Sequence, residues 1–402
     1  MYPDLINLIY KLITKKVKRL VKVAERIIMN CSYDLFNSMR HEEKDILNLL
    51  QKNGSMTKND ILCKLKMKLT SLNRLMDPLE ENKIIIKYSI GKSSGGRKPV
   101  LYDVSLCNFY IIGIEISREY TEVVLTNFRI QIIYKEKFKM DSSFTPYKTA
   151  FKILEIINKA VEKLMICSVG LFGIGVSIPG NFENFYCNGW SNDEVKIAME
   201  KVLECPVVIQ YGATAAAVAE CYYGFKNEFK NVGYFNCGSN IRTGIILNGK
   251  ILGARNDIED ALGHMILKDY GTIQDCCSEK AITKKFASKN NYSSEVRYKD
   301  VCTAASSGDE IAQNVIKEAA YILGLGLANY ITMLDLRAVI LSGSLIENSK
   351  LFYDTCIKTV IEKSNINEKN KVIFKSGGFF NKDAISAGAA AVVVEKYLDN
   401  NF

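Results

Sequence analysis

Along the first hundred residues the apolar positions fall into three helical repeats followed by two alternating runs. From Glu42 the segment EEKDILNLLQKNG sets Ile46, Leu49 and Leu50 on one helical face and stops at Gly54. The segment SMTKNDILCKLKM then opens on a Ser or Thr cap and repeats the spacing at Ile61, Leu62 and Leu65. After a short turn Thr70 is placed to cap a third helix, with Leu72, Leu75, Met76 and Leu79 facing inward. Pro78 lies late in that helix and should kink or shorten it, because it lacks a backbone donor. IIIKYSI and VLYDVS, joined by a Gly- and Lys-rich tip, read as a hairpin. Three short helices and a basic-tipped hairpin make a winged helix-turn-helix over residues 39–107. After Asn108 the pattern changes. Apolar or alternating runs such as FYIIGIEIS, TEVVLTNF, GLFGIGVSIPGNF and VGYFNCGSN alternate with helical stretches, which indicates α/β layers over 108–402.

Charge sharpens this division. Residues 1–100 carry 20 Lys and Arg against 10 Asp and Glu, while the remaining 302 carry 33 against 34, within a total net charge of +9. A basic front on a neutral body points to a polyanion met by the front alone. In a winged helix the third helix enters the major groove, so Thr70, Ser71, Asn73 and Arg74 are the candidate base and phosphate contacts. Gly95 and Gly96 would let the wing approach DNA closely, with Arg97 and Lys98 on phosphate or in the minor groove. A winged helix used only for protein contacts is the competing reading.

Composition excludes other classes. With 48% hydrophobic and 24% charged residues in 402, the chain is neither disordered nor built around a bilayer span. Residues 1–38 form a basic amphipathic extension that lacks the order of an export signal. It reads as a helical arm, a surface-lying amphipathic helix, or sequence upstream of a start at Met29 or Met39. The twelve cysteines include no C-x-x-C pair, which fits reduced, mostly buried thiols and a cytoplasmic protein. Only His41 and His264 are available for histidine chemistry.

Seven motifs in order give the body a family likeness: GIGVSIPGNF at 173–182, NGW at 188–190, PVVIQYGATAAAVAE at 206–220, ALGHM at 261–265, CSE at 277–279, VILSGSLIE at 339–347 and the late AISAGAAAVV. In this order and spacing the chain resembles the ROK family of bacterial repressors and sugar kinases. Its layout is similar to that of the transcriptional regulators of the xylose- and N-acetylglucosamine-repressor type. The resemblance covers nearly all of residues 40–398 and implies an α/β fold in which the winged helix precedes a two-lobed, actin-like ATPase body. It implies an effector site at Gly180, Asn181, Tyr211, Gly212, His264 and Glu279, a sugar or sugar derivative as effector, and dimers or dimers of dimers on a duplex DNA operator.

The departures from the family pattern bear on catalysis. Where family kinases carry Asn-Asp, with the Asp as general base, this chain has Tyr211-Gly212, and glycine accepts no proton through a side chain. The family's Glu three residues before the histidine is Ala261. Its first phosphate loop becomes Glu115-Ile116-Ser117-Arg118-Glu119 and its second Gly238-Ser239-Asn240-Ile241-Arg242, so neither keeps an open glycine cradle. Two of the sulfur positions of the family's structural zinc fall on Tyr270 and Thr272, leaving His264, Cys276 and Cys277. The expectation is a DNA-binding regulator, most simply a repressor of carbohydrate-related genes, with neither zinc nor nucleotide and no enzymatic activity. Ligand-driven change in lobe angle would then alter the spacing of two reading heads. The rival expectation is a working sugar kinase with an accessory DNA-binding domain.

Overall fold

The computed structural model describes residues 32–90, 99–164, 170–179, 190–252, 258–290, 296–364, 366 and 371–398. They divide into two compact units, one of residues 1–210 with 389–402 and one of residues 211–388. Among the described residues no helix is long and apolar enough to cross a membrane.

Unit one opens with a short helix α1 (Tyr33–Asn37) and then the winged helix: α2 (His41–Asn53), β1 (Met56–Thr57), α3 (Lys58–Leu65), α4 (Leu69–Glu81), β2 (Ile85–Ile90) and β3 (Val100–Val104). The three helices and the hairpin follow the apolar periodicity. Thr57 caps α3 by accepting the Asp60 amide, while the Asp60 carboxylate accepts from the Thr57 amide. Four details differ from the sequence expectation. The buried face of α2 holds Ile46, Leu47 and Leu50, with Leu49 half-exposed. Helix α4 begins at Leu69 behind Lys68, so Thr70 lies inside it and caps nothing. Pro78 does not end the helix, which runs three residues further; one turn back, the proline costs a single backbone bond. The small strand β1 pairs with β3 and makes a three-stranded sheet of order β1-β3-β2.

The winged helix, with α1 ahead of it, is seated on the rest of unit one, on the side of α2 where buried Leu47 lies one turn before Gln51. Phe36, at 1% exposure, packs edge-on against Phe109 and Phe172 and tilted against Phe128. The Gln51 amide donates to the Phe128 carbonyl at 3.0 Å. Asp103, nearly fully buried, takes both its oxygens to the Arg129 guanidinium at 2.6 and 2.7 Å. Lys52 pairs with buried Glu395 at 3.1 Å.

Behind this seat lies a five-stranded sheet of order β6-β5-β4-β7-β8, built from β4 (Phe109–Ile116), β5 (Tyr120–Thr126), β6 (Ile132–Lys139), β7 (Gly170–Ile178) and β8 (Val207–Tyr211). β4 and β5 are antiparallel, as are β5 and β6, whereas β4 and β7 are parallel. Helices α5 (Pro146–Lys163) and α6 (Asn192–Leu203) supply the connections that parallel strands require.

Unit two repeats the plan. After α7 (Gly212–Val218), which runs into a π-helical turn at Ala219–Gly224, come β9 (Val232–Cys237), β10 (Ile241–Leu247), β11 (Lys250–Ile251), the small pair β12 (Ile266–Leu267) and β13 (Gly271–Thr272), and helices α8 (Ile273–Cys277), α9 (Glu279–Asn290), α10 (Tyr298–Ser306) and α11 (Glu310–Leu334). The chain then forms β14 (Ala338–Ser342), α12 (Ser344–Glu347), α13 (Lys350–Lys363), β15 (Ile373–Ser376) and the closing helix α14 (Ala384–Leu398). Its sheet has order β11-β10-β9-β14-β15, again an antiparallel meander followed by two parallel additions. In each sheet a glycine lets a helix backbone lie directly on a strand. A Cβ at Gly175 would overlap the Ala389 carbonyl, and one at Gly244 the Ala213 carbonyl.

Candidate functional sites

Helix α4 turns Leu72, Leu75, Met76 and Leu79 inward, which leaves its other face to solvent. Thr70 and Arg74 are exposed there, and Ser71 and Asn73 are half-exposed. The four expected contacts of this helix therefore share one accessible face. Asn73 is held in place, because the Lys58 ammonium donates to its amide oxygen at 2.7 Å while lying 5.2 Å from the Tyr102 ring centre. Lys58 is a residue the sequence pattern did not single out, since it stands fifteen positions away on another helix. A cleft of about 260 Å³ beside the amino end of α4 is lined by Arg40, Glu42, Met67, Lys68, Ser71, Arg74 and Leu75. The wing candidates Gly95, Gly96, Arg97 and Lys98 lie outside the described residues.

In unit one the loop after β4, where a kinase would cradle phosphate, is a closed turn. The Ser117 amide and hydroxyl both donate to the Tyr120 carbonyl, at 2.8 and 2.9 Å. The Tyr120 hydroxyl donates to the buried Glu115 carboxylate at 2.9 Å, and the Lys137 ammonium sits 3.1 Å above the Tyr120 ring centre. The Ser117 and Tyr120 amides are thus turned onto the loop itself, and the carboxylates of Glu115 and Glu119 disfavour an anion there. Gly180 and Asn181, the effector candidates of this unit, lie outside the described residues.

In unit two, Tyr211 ends β8 and makes no capping bond to the helix it precedes, and Gly212 is buried as the first residue of α7. A carboxylate arrives from elsewhere. Glu259, at 1% exposure, accepts the Thr214 amide at 2.9 Å through its carboxylate, and its backbone carbonyl accepts the Thr243 hydroxyl at 3.0 Å. Its second oxygen has no hydrogen-bond partner among the described residues. Burial pushes the Glu259 carboxyl up to about 7, against the opposing pull of the Thr214 amide and the Arg242 guanidinium.

The loop between β9 and β10, the other expected phosphate cradle, is latched. The Gln274 side chain donates to the Ser239 carbonyl at 3.0 Å and accepts the Ile241 amide at 2.8 Å. Glu279 accepts the Ser239 hydroxyl at 3.0 Å, and its amide donates to the Gly238 carbonyl at 3.1 Å. Thus Glu279 is tied to this loop. His264 is exposed in the turn whose Gly263 carbonyl accepts the Gln274 amide at 2.8 Å, so Gln274 links the histidine turn to the loop. Sequence reasoning missed both Glu259 and Gln274.

The residues present do not fit the family's zinc. The Cys277 thiol is buried against the Ala319 carbonyl, and burial holds it well above the ordinary thiol range. Cys276 instead donates to the Tyr270 carbonyl at 3.1 Å, and the Thr272 hydroxyl bonds Asp275. The two thiols therefore serve different partners, and a metal needs them as thiolates converging on one point.

Comparison with known proteins bears on both units. A model of the ROK family matches residues 111–396, and a model of a winged helix-turn-helix DNA-binding domain matches residues 43–86. The xylose repressor of Bacillus spizizenii is 24% identical over 374 residues, covering 89% of this chain and 96% of that protein. Among solved structures, a ROK family transcriptional regulator described as a homologue of the Escherichia coli MLC protein superposes with a TM-score of 0.74 at 19% identity, over 89% of this chain and 97% of that one. A ROK hexokinase from Thermus thermophilus superposes with a TM-score of 0.62 at 18% identity, over 72% of this chain and the whole of the enzyme. These structural likenesses concern the fold.

Proposed function

Because the chain belongs to the ROK family and carries a winged helix-turn-helix ahead of the family body, we propose that it is a DNA-binding transcriptional repressor of carbohydrate-related genes. The observation that carries the reading is the recognition helix itself: a sealed apolar face, and an accessible one presenting Thr70, Ser71, Asn73 and Arg74. The named similarity to a xylose repressor across nearly its whole length points the same way. In this reading two copies present two heads to an inverted-repeat operator in the cytoplasm.

The body then senses a sugar or sugar derivative and does not phosphorylate it. Support comes from Gly212, which brings no base to the place where the family has an Asp, and from the two closed loops at Ser117 and Ser239. The thiol arrangement at Cys276 and Cys277 supports a body that works without zinc.

The test is selection from random duplexes with the full chain, beside an assay of ATP-dependent hexose phosphorylation. The proposal expects an enriched inverted repeat and no turnover. No enriched motif, or hexose turnover that scales with the protein and disappears with it, would overturn the corresponding half of the reading.

A further inference from the structure

The reading helix has a feature that base recognition does not use. Its amino end has no side-chain cap, although the helix is 13 residues long, so the amides of its first three residues, ahead of the Leu72 amide that bonds the Lys68 carbonyl, take no side-chain partner from Lys68. Beside that end lies the cleft lined by Arg40, Lys68, Ser71 and Arg74. Arg40 reaches it from the residue preceding α2, Lys68 from the residue preceding α4, and Arg74 from the second turn of α4. None of these three cations has an ion-pair partner among the described residues, and Glu42 is the one acidic side chain in the lining. All three cations are exposed and line one cleft, so an anion entering it meets positive charge from three places in the chain. A bare amino helix end adds donors of the same sense.

We propose that this cleft holds a backbone phosphate of the bound duplex. The proposal rests on the DNA-binding reading above and adds where the head grips and why. A phosphate held between Arg40, Lys68 and Arg74, with the Ser71 hydroxyl as a further donor, fixes how far α4 enters the groove. Such a grip positions the helix without reading sequence. Arg74 then belongs to the phosphate grip, and base discrimination falls to Thr70 and Asn73, the latter already oriented by Lys58.

The experiment measures binding of the full chain to its selected operator and to a scrambled duplex across a salt series. Variants are Arg40→Gln, Lys68→Gln and, as a charge control on the same head, Lys64→Gln, whose ammonium instead bonds Asn53. Each variant is checked for an unchanged thermal midpoint. Arg40→Gln and Lys68→Gln should each weaken both duplexes by the same factor and flatten the slope of log affinity against log salt, by up to roughly 0.9 for the one phosphate they share. Lys64→Gln should keep the wild-type slope. Wild-type slopes in the two cleft variants, or an equal fall in the control, would overturn the phosphate site while leaving DNA binding standing. A cleft that takes inorganic phosphate while both variants bind DNA normally would assign it to a free anion and also overturn the proposal. Failure of the wild type on every duplex would sink the DNA-binding reading itself.

Discussion

Replacing Glu259 by Gln isolates the electrostatic cost of a carboxylate buried at the start of α7. The group lies at 1% exposure, and burial raises it from 4.5 to about 7. At about 1.36 kcal/mol per pKa unit, ionising it in the native state costs about 3 kcal/mol more than ionising it in the unfolded chain. The native protein thus keeps a proton that the unfolded chain has released, from about pH 4.5 to about pH 7. Stability contributed by the protonated group is complete below this window and is lost as pH rises through it. Gln keeps the acceptor for the Thr214 amide and cannot ionise. The Gln variant should therefore match the wild type near pH 4 and exceed it by up to about 3 kcal/mol near pH 8. Glu220 is also raised by burial, so the difference between the two proteins is the informative quantity rather than either curve. The assay is urea unfolding followed by circular dichroism at a series of pH values, with hydrogen exchange of the α7 amides to locate the effect. Parallel curves from about pH 4 to about pH 8, or a Gln variant weaker at the alkaline end, would refute the reasoning.

Two further outcomes follow from the packing. Arg129→Ala leaves the buried Asp103 carboxylate without the guanidinium nitrogen that bonds both its oxygens and should destabilise unit one by about 2–4 kcal/mol, discounted for the partly exposed arginine. The urea midpoint of Trp190 fluorescence reads this destabilisation, and an unchanged midpoint would show that the pair holds nothing. Gly244→Ala drives a methyl group into the Ala213 carbonyl where α7 lies on β10, and should lower the thermal midpoint by several degrees or abolish soluble expression. A soluble variant melting with the wild type would mean that α7 shifts freely.

The winged helix was legible because its helices are amphipathic at the surface of a small core, so periodicity alone separates Leu72, Leu75, Met76 and Leu79 from Thr70 and Arg74. Periodicity failed at Leu47 because α2 is buried on a second side, where Gln51 and Lys52 meet the rest of unit one. The two-residue strand β1 is too short to carry any period. In the body, motif order made the family visible, and Gly212 stands out as a glycine where the family pattern has an Asp. The carboxylate of Glu259 was hidden, since it meets Thr214 across 45 residues, and Gln274 meets Ile241 across 33. Such long-range hydrogen bonds leave no local pattern. The zinc expectation turned on ligand spacing, which a sequence displays directly, whereas the separate partners of the two thiols emerge only from the fold.

The seat beneath the winged helix also governs what can be built from this protein. A reading head that is merely tethered can be exchanged as a cassette, carrying its specificity into a new host. Here the head, together with α1 ahead of it, shares a core with its support: Phe36 of α1 completes an aromatic cluster with Phe109, Phe128 and Phe172, and Asp103 of the head neutralises Arg129. A foreign head grafted at residue 107 would strand that arginine and open the cluster to water. Trimming the chain within α14 would take Glu395 away from Lys52 at the opposite end of the sequence. Functional chimeras therefore require both faces of the seat to travel together, and specificity is more readily altered by substitution on α4 than by transplantation of the domain.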